Sequence, residues 1–245
     1  MIRQVIAELG NPHPMLLGPV QARAPLPASI EVPRSHASQG VAVVTVPGFV
    51  ADPTGERRYV AAGVAALREV EGQAMCGWVV DLRDDTGGNM WPMLTVLAPL
   101  LGDGVAGSFT GPGVAPMAWS VRGGRALLDG SAPAAESNPV RLTRPHPPIA
   151  VLTSKFTASS GEATLVAFRG MPRVATFGAP TAGAASGNEV FDLSDGAKLL
   201  ITSVVNVDRA GHGYGNVPIE PDHPMPPADA EAAATQWVRV QGGCG

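Results

Sequence analysis

Only two cysteines, Cys76 and Cys244, occur among 245 residues, which excludes a disulfide-dense scaffold and a cysteine-rich metal site. Their spacing fits no redox motif, and Cys76, inside an apolar stretch, reads as a small buried hydrophobe. Lysine and arginine never cluster and the net charge is −4, so no nucleic-acid or anionic-membrane partner is expected. No apolar run approaches the ~18 residues of a membrane-spanning helix. The N-terminus lacks a cationic start followed by an apolar stretch, so no signal peptide is expected and a cytoplasmic location is the default. Neither Gly-x-Ser-x-Gly nor Gly-Lys-Ser/Thr is present, which disfavours an α/β-hydrolase elbow and a phosphate loop. No pair of histidines has metal-ligand spacing, so neither a metal nor another cofactor is expected.

What is present is a core-forming chain. Hydrophobic residues make up 45% and charged residues 16%, enough for one large domain or a core with a small appendage. The 30 glycines and 24 prolines follow no period, which predicts many turns rather than a fibre. Residues 2–9 can form a short helix closed by Gly10-Asn11-Pro12, and 18–39 read as a linker or extended loop. Buried strands are expected at Val41–Val46, Cys76–Arg83, Ile149–Thr153 and Val174–Phe177. Helices are expected at Thr54–Val70, Met90–Leu101, Ser160–Arg169 and Asp229–Val240, and a hairpin across Val190–Val207. This alternation predicts parallel β–α units with a site at the strand C-terminal ends.

Two loops could carry chemistry. The first leads from Ile149–Thr153 through Ser154-Lys-Phe-Thr-Ala-Ser159 into a helix. A serine there meets unpaired N–H groups and the positive end of the helix dipole, both of which favour a developing oxyanion. The same pattern also fits an N-cap with Glu162 in the first turn, and the pattern alone does not separate the two. The second loop is Asp81-Leu-Arg-Asp-Asp-Thr-Gly-Gly88, whose glycines allow close backbone approach or simply a tight turn.

Taken in order, Asp81–Gly88 resembles the Asp-Leu-Arg-x-Asn-x-Gly-Gly of the tail-specific, or C-terminal processing, proteases. Thr157-Ala-Ser-Ser-Gly-Glu162 resembles their Ser-Ala-Ser-x-Glu loop, and Phe177-Gly-Ala-Pro-Thr-Ala-Gly183 their Gly-Glu-x-Thr-x-Gly loop. Ile219-Glu-Pro-Asp222 resembles their closing Val-x-Pro-Asp, and Leu9–Leu16 the end of their N-terminal helical region. The resemblance implies an α/β, crotonase-like core of ββα units over 41–245, behind a remnant N-terminal segment and linker at 1–40. It implies a serine peptidase or hydrolase acting on a peptide or small acyl substrate through an acyl-enzyme.

Residue by residue, the resemblance implies Ser159 as nucleophile and the N–H groups of Gly88 and Ser160 as the oxyanion hole. Gly87, Trp91, Thr181 and Gly183 would touch substrate. The lysine of the family's Ser-Lys branch is replaced by Ala184. The tricorn-like branch uses an N-terminal histidine instead, and His13 stands there, preceded by Pro12 rather than serine. Where that branch carries its acid the sequence has Gly215, so Asp208 or Glu220 is the substitute, if any. His212 is the reserve base. The 18–40 segment is too short for the family's PDZ domain, so the chain is a minimal core or relies on a partner subunit, a homo-oligomer included. The alternative is a catalytically inactive peptide- or ligand-binding protein on the same fold.

Overall fold

A computed structural model describes residues 4, 6, 8, 13–27 and 29–244. Val41–Thr45 (β3), Gly77–Asp81 (β4), Ile149–Thr153 (β8) and Val174–Gly178 (β9) are buried along almost their whole length, as parallel strands covered on both faces should be. They pair in parallel, β3 with β4, β4 with β8 and β8 with β9. Arg34–Ser38 (β2) adds an antiparallel edge to β3, and His223–Pro224 (β12) a short parallel edge to β9.

Alternate residues of these strands face opposite layers. Val41, Val43, Val79 and Leu152 pack with Ala230, Ala234 and Val238 of α5 (Pro227–Gly242). Ala42, Val44, Val80 and Val151 join Leu67, Leu97 and Phe168 from α2 (Pro53–Glu71), α3 (Met90–Leu101) and α4 (Ser160–Phe168).

The second sheet is antiparallel. Its order is β1 (Met15–Leu17), β11 (Lys198–Asp208), β5 (Gly104–Gly111), β6 (Val114–Arg122), β7 (Arg125–Leu128), with β10 (Ser186–Asp192) also on β11. A one-turn helix, α1 (Pro19–Ala22), follows β1.

Two expectations change. The 18–39 segment is not all linker, because its end forms β2, where Ser35 Oγ also donates to the Ala66 carbonyl. Cys76 is not a lone hydrophobe: it is disulfide-bonded to Cys244, 168 residues on, because α5 returns across the sheet to the start of β4. Of the expected 2–9 helix, Gln4, Ile6 and Glu8 are helical; the rest, with the 10–12 closure, lies outside the described residues.

Candidate active site

The loop that carries Ser159 is built by its neighbours. Thr157 Oγ1 donates to the Leu82 carbonyl, Ser154 Oγ to that of Arg83, and Ala158 N–H to that of Asp85. These bonds fix 154–158 against the loop after β4. Ser159 then caps α4 with φ 51° and ψ −112°, a strained conformation for a residue with a Cβ. The strain is held in place by Glu162, one turn on.

Glu162 is fully buried. It accepts from the N–H groups of Ser159 (2.9 Å), Gly183 (3.0 Å) and Ala184 (2.7 Å), and from the Thr181 hydroxyl. Burial raises its carboxyl above the usual range, and these bonds pull it partly back. The capping box foreseen as an alternative is therefore present, and it serves to orient the serine. Because the Ser159 N–H is committed to Glu162, it is turned away from any oxyanion role.

His13 reaches the serine from the segment before β1, which is anchored on β11. Nε2 lies 3.0 Å from Ser159 Oγ. Nδ1 lies 2.7 Å from Ser186 Oγ, which donates to Asn216 Oδ1 at 3.0 Å. Asn188 Nδ2 donates to the His13 carbonyl. The tautomer follows from this chain of bonds. A carboxamide oxygen can only accept, so the Ser186 proton points at Asn216 and its lone pair at Nδ1. Nδ1 then carries the hydrogen, and Nε2 presents a lone pair to Ser159. Burial lowers the His13 pKa below its ordinary 6.5, which favours the neutral ring.

The backbone N–H groups of Gly88 and Ser160 have no hydrogen-bond partner among the described residues, and both residues line the cleft that holds Ser159 and His13. Ser160 Oγ donates to the Gly88 carbonyl at 2.6 Å, tying the two loops together. Glycine is obligatory at 88: φ is +115°, and a Cβ would sit 1.9 Å from the Phe49 oxygen. Beneath lies Asp85, fully buried, with Oδ1 accepting from Gly87 N–H and Oδ2 unpartnered among the described residues. Burial pushes its carboxyl up to about 7.

The remaining expected site residues divide. Trp91 walls the cleft, edge-on to Phe109. Gly87 packs beneath the Ala158–Ser160 backbone instead of facing the cleft. Thr181 and Gly183 do not line the cleft either, because their loop is wrapped around the Glu162 carboxylate. Asp208 and Glu220 take other partners. Asp208 accepts from the Tyr214 hydroxyl and the N–H groups of Ala210 and His212; Glu220 is exposed and its carbonyl accepts from Arg169. His212 is exposed and packs on Tyr214. The group behind His13 is Ser186 with Asn216, which the sequence reading missed. The one available signal was position, since Asn216 directly follows the Gly215 assigned to the acid's place.

Fold and site together define a serine-type peptidase scaffold. The model of peptidase family S41 matches residues 40–225, and the chain belongs to that family. His13 lies outside the matched span. The nisin-resistance protein of Lactococcus lactis subsp. lactis is 31% identical over 209 residues, covering 85% of this chain and 63% of that protein. The chloroplastic carboxyl-terminal-processing peptidase 2 of Arabidopsis thaliana is 32% identical over 170 residues, covering 68% of this chain and 30% of that protein. The chain thus spans less than two thirds of the length of either curated relative. A solved lipoprotein structure from Streptococcus agalactiae matches at 29% identity and TM-score 0.78, over 98% of this chain and 80% of that one.

Proposed function

We propose that this chain hydrolyses peptides through an acyl-enzyme on Ser159, with His13 as general base. The observation that carries the reading is the 3.0 Å approach of His13 Nε2 to Ser159 Oγ, with Nδ1 held from behind by Ser186. As Oγ attacks the scissile carbonyl, its proton passes to Nε2. The carbonyl oxygen gains charge against the N–H groups of Gly88 and Ser160, at the positive end of α4. Nε2 returns the proton to the leaving amine. A water then repeats the sequence to release the acid. Repeated strand–helix units against one parallel sheet support reading the core as crotonase-like.

Support for a peptide substrate comes from the relatives, one named for nisin resistance and another for carboxyl-terminal processing. The Cys76–Cys244 disulfide favours an oxidising compartment over the cytoplasm expected from the N-terminal residues. A fluorophosphonate probe is expected to label the wild-type chain and not Ser159→Ala. A wild-type chain that stays unlabelled while binding peptide would be an inactive binding protein.

A further inference from the structure

The floor of the cleft carries a polar group that neither the fold nor the reaction uses. Asn206, near the end of β11, is fully buried, and both its Nδ2 and its Oδ1 lack a partner among the described residues. Its backbone is accounted for: the N–H donates to the Ala185 carbonyl and the C=O accepts from Tyr214. A buried carboxamide left unpaired loses its hydration without return, and an apolar residue of similar size would avoid that loss. The same side chain lines the cleft that contains Ser159 and His13.

Its surroundings define what it could hold. Asn206 stands directly opposite Phe109 in the β11–β5 register, and directly opposed residues in an antiparallel pair share a face. Phe109 packs edge-on against Trp91 and Trp119, at centroid separations of 6.5 and 4.6 Å. Leu200 and Ala163 add further apolar wall. Among the described residues lining the cleft, His13 is the only ionisable one. A flat, uncharged group with a donor and an acceptor would match these aromatic walls and the Asn206 carboxamide together.

We propose that Asn206 is a specificity-determining residue that pairs, donor to acceptor and acceptor to donor, with an amide of the substrate. The amide is either a glutamine side chain or a peptide link near the scissile bond. The proposal rests on the peptidase reading for its substrate class but not for its binding test.

Binding is measured calorimetrically on Ser159→Ala, which cannot turn substrate over. The probes are alanine-based hexapeptides with one glutamine moved along the chain. A second set replaces that glutamine by methionine, and a third replaces single backbone amides by esters. One position is expected at which methionine, or one link at which the ester, weakens binding by about 10–100-fold. Which set shows the loss identifies the side chain or the main chain as the source of the amide. Adding Asn206→Leu should abolish that discrimination and raise the melting temperature. Adding Asn206→Asp should shift the preference towards a lysine peptide. Equal affinity across all sets, no binding at all, or discrimination that survives Asn206→Leu overturns the proposal. Selective binding by a chain whose wild type cleaves none of the peptides would sink the peptidase reading and leave this one standing. Cleavage indifferent to every replacement would do the reverse.

Discussion

Ser186 Oγ sits 2.7 Å from His13 Nδ1, where an acidic side chain was expected. A hydroxyl there fixes the ring and its tautomer without adding negative charge. Ser186→Ala is therefore expected to lower kcat by about 10–100-fold and leave KM nearly unchanged, because orientation is lost and not substrate contact. Steady-state kinetics on a cleaved peptide test this; an equal rise in KM would point to a binding role instead.

The pH profile follows from the same ring. The proposed base, His13, must be neutral to act, and burial lowers its pKa below 6.5. Activity is expected to climb with pH along a limb centred below 6.5 and to stay flat through neutrality. The kcat/KM profile of the free enzyme reports this limb. In Ser186→Asp a carboxylate would face Nδ1 and move the limb to higher pH. A limb that stays in place would show that Nδ1 does not feel that position.

Gly88→Ala tests the proposed oxyanion role of the Gly87-Gly88 loop. Its Cβ would strike the Phe49 oxygen at 1.9 Å, in a backbone conformation with φ +115°. The loop must move, taking one N–H donor away from the cleft. A loss of about 100-fold or more in kcat is expected, the usual scale for removing one such donor. Fluorophosphonate labelling should slow in parallel.

How much of this was readable beforehand depends on distance along the chain. The placement of Ser159 beside the Gly87-Gly88 loop is legible because both lie in short contiguous segments that follow buried strands. His13 was legible only through its order ahead of the core. Ser186 and Asn216 were not, since Ser186 is 173 residues from His13 and Asn216, in a loop, joins the chain of bonds only through the Ser186 hydroxyl. Thr181 and Gly183 were misassigned because a loop sequence does not show which way it faces. Here it faces inward, towards the buried charge of Glu162.

Asp85 is expected to make stability pH-dependent. Its carboxyl, ordinarily near 3.8, is raised to about 7 by burial. The folded chain therefore holds this proton more tightly than the unfolded one. The stabilisation is complete below the unfolded value and is lost as pH rises through about 7. The span amounts to roughly 4 kcal/mol by that linkage. Asp85→Asn, which cannot ionise, is expected to melt higher than wild type at pH 8 and to show a flatter profile. Urea titrations at pH 5 and pH 8 would decide it; parallel shifts of both proteins would contradict the assignment.

Cys244→Ser should cost ~2–5 kcal/mol, with dithiothreitol having a comparable effect on wild type and none on the variant. Thermal melts with and without reductant make the comparison. Insensitivity of the wild type would mean that the bond does not form.

The disulfide closes most of the chain, from the start of β4 to the end of α5, into one covalent loop. The Ser159 loop, the Gly87-Gly88 loop and the cleft strands β10 and β11 lie inside it. Surface loops are where peptidases cut first. A single cut between the two cysteines would leave two pieces still joined as one molecule, with Ser159 and Gly88 tethered to each other. Such damage would not show on a gel run without thiol and would appear as two bands once thiol is added.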